Sequence, residues 1–321
     1  MAFSKNDLLI DPAAESKRLI TRLKEDILNK LRKRGAVVGI SGGVDSSVTL
    51  ALCVKALGAQ HVLGVMMPEK DSSPDSLKLA KKVAEQFGVQ YVVEDMTEGL
   101  SGLGCYRRRD EAIKRVFPEY DSSFKAKITL PGNLLQKDSL NVFQLTIISP
   151  SGETKSVRIP IKEYLQIVAA SNFKQRSRMT MLYYHAESRN YAVVGTGNKN
   201  EHEHGFFVKY GDGGSDIRPI THLFKTQIYQ LAEFLEIPEE IRRRTPTSDT
   251  YSAEQTQEEF FFRLPFEILD TIWFGWERGV SVNEISEALK LKPEQIENVI
   301  HDIKRKIAAT EYLRMAPIHL L

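Results

Sequence analysis

Apolar residues in this chain recur in two different rhythms. Near the start they fall every three or four positions, with Leu19, Ile20, Leu23, Ile27 and Leu31 on one face. That spacing predicts an amphipathic helix over about residues 14–33, ended by Gly35. Three short apolar runs follow, each feeding a helical pattern. Ala36-Val37-Val38 leads into a helix opening at Val44, and the run from His61 to Met67 leads into one over about residues 74–87. The third unit opens with Val89-Gln90-Tyr91-Val92-Val93-Glu94. Strands alternating with helices predict right-handed crossovers and an α/β fold with a doubly wound, Rossmann-like parallel sheet. On such sheets ligands bind beyond the carboxyl ends of the strands.

Between residues 117 and 160 this rhythm breaks. Segments 140–148 and 155–159 flank Ser149-Pro150-Ser151-Gly152-Glu153, which predicts a β-hairpin with a longer loop, read as a surface decoration rather than a flap over the site. The α/β pattern resumes with a helix over about residues 161–188 and the strand Tyr191-Ala192-Val193-Val194. From Pro238 onward the pattern is mainly helical. Residues 281–306 imitate a helix-turn-helix, but they lack a basic recognition face and are read as structural packing.

One glycine-rich segment gives the expected sheet a chemistry. Gly39-Ile40-Ser41-Gly42-Gly43-Val44-Asp45-Ser46-Ser47 joins the first strand to its helix. Glycine lets the backbone turn sharply and approach a ligand. The first helical N–H groups and the hydroxyls of Ser41, Ser46 and Ser47 then converge where an anion such as pyrophosphate would sit. Asp45 adds a carboxylate that could hold Mg2+ beside that anion. No lysine follows the glycines, so this is not the G-x-x-x-x-G-K-[ST] pattern. The string resembles the PP-loop of enzymes that cleave ATP between its α and β phosphates and adenylate a substrate. The expected organisation is a PP-loop ATP-binding α/β domain over residues 1–259, with an insertion at about 120–160, and a helical extension over 260–321 packed on it.

Composition narrows the classes without choosing among them. The 321 residues carry a net charge of +2 with both signs mixed, which gives no reason to expect a nucleic acid partner. The longest apolar stretches are strand-length and the first residues carry no signal-peptide core, so no membrane association is expected. Cys53 and Cys105 form neither a disulfide framework nor a CxxC motif, which points to a reduced, cytoplasmic enzyme.

A second constellation follows the Tyr191 strand: Gly195-Thr196-Gly197-Asn198-Lys199-Asn200-Glu201, then residues 205–220 with four glycines and alternating charge. Glu201 could meet Asp45 across the sheet edge and complete a magnesium site, because Mg2+ needs few protein oxygens when phosphate and water supply the rest. Lys209 and Lys225 could neutralise phosphate charge.

The PP-loop, the Asn172-Phe173-Lys174-Gln175-Arg176-Ser177-Arg178-Met179 stretch, the block from Gly195 to Lys225, and Pro246-Thr247-Ser248-Asp249 together resemble the ammonia-dependent NAD synthetase family. The resemblance runs from about residue 15 to the C-terminus, apart from the insertion. It implies that Gly39, Ile40, Ser41, Gly42, Gly43, Val44, Asp45 and Ser46 hold the ATP phosphates, and that Asp45 with Glu201 binds magnesium. It implies ATP contacts from Thr196, Lys225 and Thr247, and substrate contacts from Arg176, Lys209 and Asp216. The implied reaction activates the nicotinate carboxylate of deamido-NAD as an acyl-adenylate, which ammonia, free or from a separate donor protein, converts to the amide. Asp45, Glu201, Lys225 and Asp216 are then the catalytic set, with Asp212 or Asp216 available to take the ammonium proton. The family also implies a homodimer.

The chain departs from the family near its end. Thr310-Glu311-Tyr312-Leu313-Arg314 stands where the family commonly carries a Thr-Glu-His-Lys-Arg-like run whose His-Lys pair contacts the dinucleotide. That change removes a cation and two nitrogen donors, and leaves a second acceptor reading open, a different carboxylic acid.

Other residues have blander readings. His202-Glu203-His204 is read as solvated polar sequence, since i,i+2 residues do not share a helix face. Cys105 is read as a partly buried residue, Cys53 as core, and Arg242-Arg243-Arg244 as a solvated helix end. A tRNA-modifying PP-loop enzyme would call for a basic RNA-binding region or a catalytic cysteine pair, and a glutamine-using amidotransferase for a further domain. Neither is visible in this chain. A non-catalytic nucleotide-binding subunit would be expected to lack Asp45 or Glu201, and both are present.

Overall fold

The chain opens with α1 (Pro12–Glu25), capped by Asp11, whose Oδ1 accepts the Ala13 and Ala14 N–H groups at 3.0 Å. A π-helical turn continues it to Lys30, and Arg32 at φ 53 stops it. The helix therefore ends before the expected residue 33, and Gly35 is not its terminator. Gly35 instead permits close approach, since a Cβ there would lie 2.4 Å from the His61 carbonyl oxygen. Then come β1 (Ala36–Gly39), α2 (Val44–Leu57), β2 (Val62–Met66), α3 (Pro74–Gln86), β3 (Gln90–Val93), α4 (Thr97–Gly102) and α5 (Cys105–Val116). This computed structural model describes residues 2–130, 132–135, 142–247 and 251–320.

The insertion is more than a hairpin. It comprises β4 (Lys125–Thr129), β5 (Gln144–Ile148) and β6 (Thr154–Arg158), an antiparallel sheet in the order β4-β5-β6. Residues 140 and 141 of the expected first strand lie outside the described residues. Ala126, Ile128, Leu145 and Ile147 pack on Ala112, Ile113 and Phe117 of the α5 region and on Tyr251. The sheet thus has its own core, while β6 is exposed along its length.

After the insertion come α6 (Ile161–Glu187), β7 (Ala192–Val194), α7 (Lys199–His204), α8 (Lys225–Phe234) and α9 (Glu239–Arg243). The main sheet is all parallel in the order β3-β2-β1-β7. Side chains alternate between its faces, and both faces are covered. Val37, Leu63, Val65 and Val193 meet Met179, Leu182 and Ala186 of α6, whereas Ala36, Val38, Val62, Met66, Ala192 and Val194 meet α1, α2 and α8. This is why the strands read as continuous apolar runs. Each fully buried Val or Leu contributes about 1.5–3 kcal/mol relative to exposure.

The last part contains α10 (Phe266–Glu277), α11 (Val282–Leu289), α12 (Pro293–Ala309) and α13 (Glu311–Arg314). Ile285, Ile296, Val299, Ile300 and Ile303 close on Trp273 and Phe262, so the helix-turn-helix-like spacing serves packing. Leu8 and Phe224 join this core and tie it to the first residues and to the start of α8. No described helix is long and apolar enough to cross a membrane.

The turn after β1 fixes how α3 approaches. Gly42 has φ 77, and a Cβ there would lie 2.4 Å from the Ser76 carbonyl oxygen. Gly88 has φ 63 with nothing within 4 Å of such a Cβ. Gly42→Ala should therefore lose about 2–3 kcal/mol in urea unfolding and Gly88→Ala about 1 kcal/mol. Equal losses would show that the turn relaxes freely.

Candidate active site

The carboxyl ends of β1, β2 and β7 open into a cleft of about 810 Å³. The PP-loop forms one wall. Gly43 caps α2 with no side-chain oxygen, so the first N–H groups of that helix keep no side-chain acceptor and suit an anion. Ser46 Oγ donates to the Gly43 carbonyl at 3.0 Å and lies 3.1 Å from Ser41 Oγ, which tightens the loop. Gly39, Ile40, Ser41, Gly43, Val44, Asp45 and Ser46 line the cleft. Gly42 and Ser47 do not. Ser47 is buried and its hydroxyl donates to the Gly43 carbonyl at 2.8 Å, so it serves the helix rather than converging on the site.

The opposite wall brings the later motif to Asp45. Asn198 caps α7, and its Oδ1 accepts the Glu201 N–H at 3.0 Å while its own N–H donates to Glu201 Oε2 at 3.2 Å. The same side chain donates through Nδ2 to Asp45 Oδ1 at 2.8 Å. One asparagine therefore bridges both predicted metal carboxylates. Lys225, the first residue of α8, donates through Nζ to Asp45 Oδ2. Its side chain is 1 % exposed and that of Asp45 16 %. Burial works against the lysine's charge, but Asp45 and Glu201 outweigh it and hold the ammonium above its usual range. Burial, and then the neighbouring Asp45 carboxylate, push the Glu201 carboxyl up to about 8. Gln257 Nε2 lies 3.4 Å from Glu201 Oε1 and closes that side.

This donor set suits a hard divalent cation. Asn198 joins the two carboxylates, Asp45 and Glu201, beside the glycine-rich turn, and Glu201 is raised by burial and then by Asp45 although the Lys225 ammonium works the other way. Among the described residues no group of three or more His, Cys, Asp or Glu could hold a metal. Magnesium, which shares its shell with phosphate and water, fits two carboxylates better than zinc does.

Thr196, Thr247, Arg176 and Lys209 also line the cleft. Ser248 and Asp249 lie outside the described residues. Arg176 is exposed at the rim, and its Nε donates to the Lys209 carbonyl at 3.2 Å. Lys209 Nζ donates to the carbonyls of Tyr312 and Met315 at 3.0 and 2.9 Å, so it holds the C-terminal segment. Asp216, like Gly42, is a predicted site residue that does not line the cleft. Its Oδ2 accepts the Val193 N–H at 2.8 Å and its Oδ1 the Tyr183 hydroxyl at 3.1 Å, beside β7 and outside the cleft lining. Asp212 does line the cleft.

The chain matches the family model described as NAD synthase over residues 16–110 and 116–317, a range that includes β4, β5 and β6. It is 49 % identical to the NH3-dependent NAD+ synthetase of Rhizobium meliloti, over 99 % of this chain and 94 % of that one. It is 36 % identical to the NH3-dependent NAD+ synthetase of Thermotoga maritima, over 88 % and 92 % of the two chains. The chain belongs to the NAD synthase family. Solved structures agree on the fold. The NMN synthetase of Francisella tularensis superposes with a TM-score of 0.67 at 19 % identity, covering 97 % of this chain and 99 % of that one. The NH3-dependent NAD synthetase of Campylobacter jejuni gives 0.62 at 20 %, covering 97 % and 100 %.

Several residues of this family member have surroundings that their sequence neighbours do not reveal. Arg244 is one, since its Nη2 donates to Ser76 Oγ at 3.0 Å and it lines the cleft rather than standing as a solvated helix end; Arg243 does stay exposed. His204 is another correction. It is 1 % exposed and stacked on Trp273 with ring centroids 4.3 Å apart, so it is core and not solvated sequence. Cys53 is core, as expected, and Cys105 is fully rather than partly buried; neither forms a disulfide. A buried ion cluster also shapes the loop after β2. Lys174 Nζ lies 3.0 Å from Glu69 and 2.7 Å from Asp71, Arg109 pairs with Asp71, and Tyr106 donates to Glu69 at 2.7 Å. Met67, Pro68 and Ser72 of that loop line the cleft.

Glu201 makes the stability of the ligand-free protein depend on pH. Its folded carboxyl titrates near 8 against an ordinary 4.5, so the folded state binds the proton more tightly. The contribution is full below the ordinary value and drains away as pH rises through about 8. Glu201→Gln should therefore flatten the fall in Tm between about pH 5 and pH 9. Parallel Tm–pH profiles for wild type and variant would contradict this.

Proposed function

We propose that this NAD synthase converts deamido-NAD, ATP and ammonia into NAD, AMP and pyrophosphate through an acyl-adenylate. The observation that carries this reading is the junction of Asp45, Asn198, Glu201 and Lys225 beside the PP-loop. A carboxylate resists amidation because oxide cannot leave, whereas AMP can. Formation of the adenylate requires the nicotinate carboxylate to attack the α-phosphorus while pyrophosphate departs. The open α2 N-terminus and the Lys225 ammonium face the charge that builds on the departing group, fixed in place before reaction. Bound Mg2+ would add Lewis-acid stabilisation of the same phosphate oxygens, held by Asp45 and Glu201. Thr196 and Thr247 would contact ATP.

On the acceptor side, Arg176 at the rim and Lys209 suit an anionic dinucleotide. Asp212, inside the cleft, is better placed than Asp216 to take the ammonium proton. Asp216 would act on the acceptor only from the outer rim, beside Tyr183. A second reading, amidation of another carboxylic acid, is favoured by one observation. Tyr312 and Leu313 line the cleft where the family commonly has His-Lys, and the nearby Lys209 ammonium is already held by carbonyls.

The domain assignment, 1–259 with 260–321 packed on it, is supported by the apolar core that the last helices form, with Leu8 and Phe224 docked into it from the first part. A homodimer is supported by an exposed aromatic face beside α6, where Tyr184 and Tyr210 are each 61 % exposed. Two buried free thiols suit a reducing cytoplasm.

Purified enzyme with ATP, Mg2+, ammonium and deamido-NAD should yield AMP and pyrophosphate, separable by chromatography from ADP. Asp45→Asn should lower turnover at least about 100-fold with the fold intact, as loss of a central electrostatic group does. Substrate-dependent ADP would remove the adenylation mechanism. Amide formation from another carboxylic acid but not from deamido-NAD would select the second reading.

A further inference from the structure

Two short helices deliver the key side chains from the later motif, α7 with Glu201 and α8 with Lys225. The start of α8 has an unusual difficulty. Its N-cap residue is Phe224, which has no side-chain oxygen to offer the first amide donors of the helix, those of Lys225 and Thr226. The acceptors come from elsewhere in the chain. Asn200 Oδ1 accepts the Lys225 N–H at 2.9 Å. Asp270 Oδ2, from the middle of α10, accepts both the N–H and the hydroxyl of Thr226 at 2.9 Å. Asp270 Oδ1 accepts Asn200 Nδ2 at 2.5 Å. Asp270 and Asn200 are both 0 % exposed.

We propose that Asp270 is a positioning residue for adenylation, a cap supplied by α10 that fixes the starts of α7 and α8 and thereby the spacing of Glu201 and Lys225 around Asp45. Asp270 is absent from the cleft lining, so it touches no substrate and acts through the helices. The chemistry requires a carboxylate rather than an amide. Three donors converge on its two oxygens, and an ionised carboxylate is acceptor-only. Asparagine would turn an NH2 group toward the Thr226 N–H or toward Asn200 Nδ2. A negative charge is also favourable at the N-terminus of α8. The location explains why a helical C-terminal part matters to an ATP site built on the α/β sheet. Trp273 and Phe274 of α10 lock that helix against Phe224, so its aspartate is rigidly placed.

This inference rests on the adenylation reading, and its test separates the two. Asp270→Asn should lower kcat about 10- to 100-fold, the scale of a displacement near 1 Å at reacting groups, with acceptor KM within about twofold. Calorimetry without acceptor supplies the independent readout. Mg2+ should strengthen ATP binding to the wild type, and Asp270→Asn should lose most of that enhancement while keeping its Mg2+-free affinity. A purely structural role would lower Tm and leave the enhancement alone. Should Asp270→Asn not fold, Thr226→Val deletes one donor and keeps the amide, and should lose about 3- to 10-fold in kcat. Either folded variant with wild-type kcat and wild-type Mg2+ enhancement overturns the proposal. Wild-type protein inert toward deamido-NAD would overturn the adenylation reading on that acceptor, while the calorimetry would still decide the role of Asp270.

Discussion

A lysine ammonium with 1 % of its side chain exposed cannot stand alone, and the site follows from how Lys225 is compensated. Removing such a charge from water costs several kcal/mol, recovered only by close, well-oriented partners. Asp45 supplies the pair, Glu201 adds field, and Asn198 holds the two carboxylates at a fixed separation. Burial, and then the Asp45 carboxylate against the partial offset of Lys225, push the Glu201 carboxyl up to about 8.

Everything around that junction serves to fix it. The parallel sheet brings β1 and β7 side by side, so the loops following both strands open on one cleft. Apolar residues on both sheet faces make the frame stiff, and α6 contributes one whole face. The same α6 reaches into the loop after β2 through Lys174, buried against Glu69 and Asp71. A buried cluster of that kind adds little net stability over a well-packed apolar one. Here it holds a cleft-lining loop in one arrangement.

Much of this was legible in the chain because local physics and function coincide at the PP-loop. Gly42 at φ 77 serves the turn, and Gly43, which caps α2 without a side-chain oxygen, leaves the first helical N–H groups with no side-chain acceptor. The parallel strands were legible because burial on both faces makes them continuous apolar runs. Other features depend on residues far apart in sequence. Lys225 meets Asp45 across 180 positions, and Asp270 meets Asn200 across 70. Asn198 carries a readable trace, a capping box with Glu201 three residues on, but its bridge to Asp45 exists only in the fold. His204 was misread because its partner is an apolar surface, Trp273, which no spacing within residues 202–204 can reveal. Asp216 sits in a site-like sequence, yet its carboxylate is engaged by the Val193 amide and the Tyr183 hydroxyl.

The central claim is that Asp45 and Glu201 share one cation while Lys225 serves the phosphates. A crystal structure with Mn2+ and an ATP analogue blocked at the α,β bridge tests it directly, because anomalous scattering locates the ion without assumption. The account predicts one ion bound by both carboxylates and by phosphate oxygens, with the Lys225 ammonium within hydrogen-bond reach of phosphate. An ion bound away from Glu201, with Lys225 still paired to Asp45 alone, would contradict it.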